Sequence, residues 1–302
     1  MGDIWPDLPF TAWSETCDTL HRWTQIVGKI RLVSTPLVNH WWNIPLYVTA
    51  RGLTTSPMWH GSRTFAVTFD FIAHALAIET SDGGREVFAL RPMAVADFYA
   101  ETMGRLSRLG IDVHIWTLPN EIDTTLRLDE DREHAAYDAE YAQRFWRALV
   151  EVDRVFKAFR ARFTGKVSPV HFFWGSFDHA VTRFSGRTAP PFPRGAPNCA
   201  AWVMQEAYSH EVSSCGFWPG NGGYGRAAFY SYAYPVPAGF ADARLRTDGA
   251  SYDRNLGEFV LPYDAVRQSR DPDALLLGFL QETYEPAADR AGWDRKALER
   301  AN

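Results

Sequence analysis

The sequence predicts an α+β protein built from two similar halves, with mainly antiparallel sheets packed against helices. Three observations carry that prediction. One order of parts occurs twice along the chain. Segments rich in aromatic and β-branched residues, edged by Gly and Pro, alternate with segments whose apolar residues recur at helical spacing. Aromatic residues make up 15% of the 302 residues, enough to pack wide sheets with rings or to line a pocket.

The elements follow in order. Leu20, Trp23, Ile26, Val27 and Ile30 share one helical face, and that helix runs into Gly28-Lys29. Pro36, Asn39-His40-Trp41-Trp42 and Tyr47 to Gly52 then read as strand material with its edges. Phe69 to His74 reads as a further strand. Glu86 to Leu90 leads through Pro92 into a helix carrying Val95, Phe98, Met103, Leu106 and Leu109, stopped by Gly110. An acidic stretch from Asp123 to Asp138 connects the halves and starts the next helix.

That helix carries Phe145, Leu149, Val152, Phe156, Phe159 and Phe163 and runs into Gly165-Lys166. Pro169, His171-Phe-Phe-Trp174 and Ala180 to Gly186 repeat the strand plan, and Gln205 to His210 matches Phe69 to His74. Glu258 to Pro262 leads to a helix with Asp271 as N-cap and Pro272 in its first turn. The division expected is a first repeat over 10–120, a connection over 121–138 and a second repeat over 139–290, a tandem duplication packed closely enough to form one structural domain. A pocket is expected near the seam. Two irregular loops, Arg187 to Pro197 and Gly216 to Gly225, lie in the second half.

Composition excludes several classes. Hydrophobic residues are 46% and charged residues 22%, which argues for a sizeable core and against disorder. A net charge of −5 gives nucleic acid no basic surface. The longest apolar stretch, Ala274 to Leu280, is too short to span a membrane. The first ten residues lack basic and apolar signal regions, so a cytoplasmic location is expected. Cys17, Cys199 and Cys215 form no CxxC pair, so neither a disulfide framework nor a thiolate zinc site is expected. Walker, Rossmann and GxSxG motifs are missing from the sequence.

Ser168-Pro-Val-His-Phe-Phe-Trp-Gly-Ser-Phe-Asp178, Thr182-Arg-Phe-Ser-Gly-Arg187 and Ala207-Tyr-Ser-His-Glu211 followed by Gly216-Phe-Trp-Pro-Gly220 are long strings. With Gly28-Lys29, His40-Trp41-Trp42 and the stretch from Leu280 to Glu285, they resemble the signatures of a bacterial family of unknown function. The resemblance covers nearly the whole chain and implies no reaction. His179 departs from that pattern, which has an aliphatic residue there, and is a weak candidate for shared chemistry.

Four of the nine histidines stand at matched places in the halves: His40, His74, His171 and His210. His21, His60, His114 and His134 read as structural or surface groups. On a regular strand Glu206, Tyr208 and His210 project together, as do Asp70, Ile72 and His74. With His171, the pair Glu206 and His210 has the composition of a two-histidine, one-carboxylate site, for a divalent metal or for acid–base work. The competing reading is a buried hydrogen-bond network.

Arg183 offers a guanidinium for an anionic substrate, or an ion pair with Asp178 or Asp70. Trp41, Trp174 and Trp218, with neighbouring rings, surround these groups. Adjacent rings on a strand face opposite ways, so one of each pair packs in the core while its neighbour can face a cavity. The leading reading is an enzyme acting on a small organic molecule, with His171, Glu206, His210, Arg183 and Asp178 catalytic and His40, Trp41, Trp174, His74 and Trp218 binding. A divalent metal on His171, Glu206 and His210 is the candidate cofactor. The partner is a small-molecule ligand, neither nucleic acid nor membrane, and no feature sets an oligomeric state. The alternative is a non-catalytic small-molecule-binding or interaction protein with a structural polar network.

Overall fold

The apolar stripe of the first helix is continuous enough to carry it to Ser34. In the computed structural model, which describes residues 4–300, α1 spans Ser14–Ser34 and buries Leu20, Trp23, Ile26, Val27 and Ile30. Gly28-Lys29 lies inside this helix and does not end it. Gly28 is there for close approach: a Cβ at that position would overlap the Trp174 ring. Gly165-Lys166, by contrast, follows its helix as a loop.

The first sheet has six strands: β1 (Tyr47–Val48), β2 (Gly52–Thr54), β3 (Met58–His60), β4 (Arg63–Asp70), β5 (Ala75–Thr80) and β6 (Arg85–Ala89). Their order is β1-β2-β4-β5-β6, with β3 also paired to β4, and every pair is antiparallel. β4 alternates, so Phe65, Val67 and Phe69 are buried. They face α1 and α2 (Val95–Arg108), where Phe98 stacks on Trp23 at 4.6 Å and on Phe69 at 6.0 Å. Gly110, at φ 67°, follows the end of α2 as its sequence suggests.

Ile111 to Trp116 is irregular, with Ile111 buried and His114 and Trp116 exposed. The acidic connection is also irregular. Asp131 in it is buried, paired with Arg22 at 3.2 Å and His134 at 2.8 Å. Asp138 then caps α3 (Ala139–Ala161), accepting from the N–H groups of Glu140 and Tyr141.

The second sheet also has six strands, all pairs antiparallel, in the order β11-β12-β10-β9-β8-β7. They are β7 (His171–Phe173), β8 (Asp178–Thr188), β9 (His210–Trp218), β10 (Ala228–Tyr234), β11 (Ser251–Asp253) and β12 (Glu258–Pro262). A short α4 (Ala201–Ala207) precedes β9. α5 (Tyr263–Arg267), α6 (Pro272–Arg290) and α7 (Arg295–Leu298) follow β12. Asp271 caps α6 by accepting from the Ala274 N–H, with Pro272 at the first position. Two similar-sized antiparallel sheets packed on helices are consistent with duplicated halves. Leu46 and Phe172 exchange two backbone hydrogen bonds of 2.9 Å and join the halves beside β1 and β7. No helix among the described residues is long and apolar enough to cross a membrane.

Three strand expectations fail, each for a local reason. Asn39–Trp41 is a helical turn with His40 and Trp41 at φ 58° and 62°, so the two residues leave strand geometry altogether. Asp70 ends β4 and accepts from the N–H groups of Ile72 and Ala73, closing a turn that puts His74 at φ 49°. Ala201–Ala207 is helical, as its Ala, Met, Gln and Glu content favours, so Glu206, Tyr208 and His210 share no strand face.

Ala at position 28 has the better helix propensity, worth about 1 kcal/mol in an open helix. Because its Cβ overlaps Trp174, Gly28→Ala is expected instead to destabilise by ~1–3 kcal/mol, the usual penalty of overpacking. Urea unfolding measures this; a stabilised variant would refute the close approach.

Candidate functional site

Alternation along the second sheet sends Asp178, Ala180, Thr182 and Phe184 of β8 to one face. Val212, Ser214 and Trp218 of β9, Tyr230 and Tyr232 of β10 and Glu258 of β12 join them. The opposite face packs on α3 and α6. Over the first face lies a cavity of about 280 Å³, roofed by Val203, Met204 and Ala207 of α4 and by His40, Trp41 and Trp42. Glu121 closes one side.

The roof is fastened to the turn of the first half. Trp41 Nε1 donates to the Val203 carbonyl at 2.8 Å, and the His40 N–H donates to Glu206 Oε1 at 3.1 Å. His40 Nδ1 lies 3.1 Å from the Ala207 carbonyl and donates to it, while Lys166 Nζ donates to His40 Nε2 at 2.7 Å. These contacts fix a neutral His40 tautomer, in keeping with a pKa lowered by burial and by Lys166 and His210. The His210 ring stands edge-on to His40 at 5.4 Å.

The floor is acidic and ring-lined. Asp178 is 5% exposed and accepts from the Ser176 hydroxyl and the Tyr230 hydroxyl. Gly216 lets Tyr230 reach it, since a Cβ there would overlap that hydroxyl. Trp218 lies on Tyr230 at 4.4 Å, and the hydroxyls of Tyr208 and Tyr232 are 2.9 Å apart. Burial raises the Asp178 carboxyl above its ordinary range. Burial, helped by Asp178, also pushes Glu258 up to about 8 and Glu121 up to about 7. Glu258 Oε2 is buried and has no hydrogen-bond partner.

Glu121 is exposed as a residue, yet its carboxyl is turned inward against Gly175, where a Cβ would overlap Oε1. Its φ of 61° is strained for a non-glycine residue and is held from both sides. The Glu121 N–H donates to the Pro197 carbonyl at 2.9 Å. Asn120 exchanges hydrogen bonds with Gln25 of α1 at 2.7 and 2.8 Å, and Lys29 Nζ donates to its Oδ1. Lys29 is buried, which lowers its pKa to about 8. A second cavity of about 560 Å³ shares Glu121, Ser176 and Trp218 with the first as a common wall.

Of the residues singled out from sequence, His40, Trp41, Asp178 and Trp218 line this cavity. Glu206 and His210 sit beside His40 at its edge. His171 does not meet them. It is wholly buried, with Nε2 3.3 Å from the Tyr47 hydroxyl and its ring against Trp42 and Phe173, and burial lowers its pKa to about 3. Among the described residues no group of three His, Cys, Asp or Glu side chains is placed to hold a metal ion, so the expected His171, Glu206 and His210 centre is not assembled.

Arg183 points to the other face of the sheet. Its guanidinium lies 3.5 Å from the Phe159 ring centre and 4.4 Å from that of Tyr284, and donates to the Phe159 carbonyl at 2.6 Å. It pairs with neither Asp178 nor Asp70; the latter binds Arg51 at 2.6 Å. Trp174 packs on Gly28 and donates to the Ile44 carbonyl at 3.0 Å, away from the cavity. His74 is bonded to Tyr137 at 2.8 Å in the first half. His179, behind the sheet, lies 3.3 Å from Asp153.

Sequence reasoning did not single out Glu121, Glu258, Tyr230 or Tyr232, and named Tyr208 only as a strand neighbour of Glu206 and His210. The period-two run Tyr230, Tyr232, Tyr234 was a readable sign of a polar-edged ring face. Glu258 opens an otherwise apolar strand, a weaker sign. Nothing near Glu121 in the sequence announces an inward carboxyl.

A family model described as "Family of unknown function (DUF5996)" matches residues 5–300. No curated protein and no solved structure matches the chain.

Because Glu258 binds its proton more tightly when folded, the stability it contributes is whole below its ordinary value of 4.5 and is lost as pH rises towards about 8. Asp178 and Asp253 strengthen this shift and Arg194 weakens it. Glu258→Gln mimics the protonated form, so its melting temperature should fall less steeply than that of the native protein between those two pH values. Thermal melts across pH check this, and parallel profiles would contradict it.

Proposed function

Since the chain belongs to the DUF5996 family, which is of unknown function, we propose a function from the cavity alone: this protein binds a small molecule over the face of its second sheet. The observation that carries this reading is the unpartnered, buried Glu258 Oε2 in a roofed cavity lined by rings and carboxyl groups. A sealed structural network would satisfy its acceptors, because an unpaired buried polar group costs about 1–3 kcal/mol. The volume of about 280 Å³ lies at the small end of ligand cavities. α4, anchored to the His40 turn, covers one side of this space.

A second reading, acid–base catalysis in the same cavity, is favoured by Glu121. Burial brings its carboxyl to about 7, where it both holds and gives up a proton near neutrality. The catalytic reading built on His171, Glu206, His210 and Arg183 has no such support, because these side chains do not meet.

Ala180→Leu fills the cavity from the sheet without removing any hydrogen bond. Ligand-observed magnetic resonance against a library of small fragments should find saturable binders of the native protein. Ala180→Leu should weaken them at least about tenfold, equivalent to ~1.4 kcal/mol, with the melting temperature nearly unchanged. An empty screen, or binders indifferent to Ala180→Leu, would overturn the binding reading.

A further inference from the structure

We infer that the ligand is a small organic ammonium ion, held with its N–H groups on the carboxylates and its carbon skeleton against the rings. This rests on the binding reading above and names the ligand class. Three carboxyl groups, Asp178, Glu121 and Glu258, face one cavity from three different elements. Among the described residues no Lys or Arg lines that cavity. Two cations near its lining residues are otherwise placed. Lys166 donates to His40 and lies over the Trp42 and Phe184 rings at the edge, and Arg194 is exposed and acts on Glu258 through space without a direct ion pair.

Carboxyl groups brought together and largely buried need a positive charge or a proton. Asp178 already has two hydroxyl donors, whereas Glu258 Oε2 has no donor. An ammonium group brings three N–H donors and a full charge at once. The surrounding surface suits it, since Trp and Tyr faces attract organic cations, and Trp218, Tyr230, Tyr232 and Trp41 supply such rings. A bare metal ion fits less well, because rings offer it no ligands and no cluster of three donors is placed for it among the described residues. The volume of about 280 Å³ calls for a small ligand.

The test uses two sets matched in shape and differing in charge: phenethylamine, phenethyl alcohol and phenylacetate; hexylamine, hexanol and hexanoate. Calorimetry on the full chain should show the amine of at least one set binding at least about tenfold more tightly than its alcohol and acid, ~1.4 kcal/mol. Amine affinity should rise with pH as Glu121, raised by burial to about 7, and Glu258, raised by burial to about 8, lose their protons. Glu258→Gln and, separately, Glu121→Gln should each reduce amine affinity and flatten that rise, leaving alcohol binding unchanged. An alcohol or acid binding as tightly as its amine would overturn the cation class while leaving the cavity reading intact. If none of the six binds but the fragment screen yields ligands lost in Ala180→Leu, the cation class falls alone. If that screen is empty as well, both fall.

Discussion

A carboxyl group taken out of water among aromatic rings must be protonated, hydrogen-bonded or paired with a positive charge, and this protein places three of them against one cavity. Much of the surrounding architecture accommodates that placement. Gly216 clears space for the Tyr230 hydroxyl on Asp178, and Gly175 clears space for the Glu121 carboxyl. Asn120, gripped by Gln25 and Lys29 of α1, holds the strained backbone that turns Glu121 inward. Glu258 is left with an oxygen that nothing in the fold satisfies. The strained Glu121 backbone and the unpaired Glu258 oxygen each cost free energy.

The halves divide the work. The second sheet gives the cavity its floor, while the first half sends over the turn of His40 to Trp42 and the connection supplies Glu121. The Leu46–Phe172 backbone pair fixes the two at their seam. Within the second sheet, the faces are equally distinct. Phe172 packs with Phe145 and Phe177 in the core, and Arg183 is enclosed by Phe159, Phe163 and Tyr284. Phe173, Phe184 and Trp218 face the cavity. The aromatic excess therefore serves two surfaces of one sheet: a core against helices and a ring-lined wall.

What could be read from the sequence was local. The stripes of α1, α2 and α3, the Gly110 stop and the Asp271 cap depend on residues within a few positions of each other, and the structure has them, except that Leu109 and Phe163 lie just beyond the ends of α2 and α3. The α+β class followed from their alternation with ring-rich strands. The cavity was only partly legible. Phe172 and Phe173 do split between core and cavity as a strand requires, but Trp41 and Trp42 both line the cavity because left-handed φ values at His40 and Trp41 break the alternation. The spacing of Glu206 and His210 suits a helix or a strand equally, and a seven-residue helix decided it. Glu121 was out of reach, since its direction is set by α1 residues some ninety positions away.

The most direct measurement of whether this cavity holds carboxyl groups without a cationic partner is infrared difference spectroscopy of the ligand-free native protein against Glu258→Gln at neutral pH. Burial to a pKa of about 8 requires a protonated carboxyl C=O stretch in the native spectrum that disappears in the variant. A difference spectrum containing only ionised carboxylate bands would contradict it, placing Glu258 in a site already neutralised or open to water.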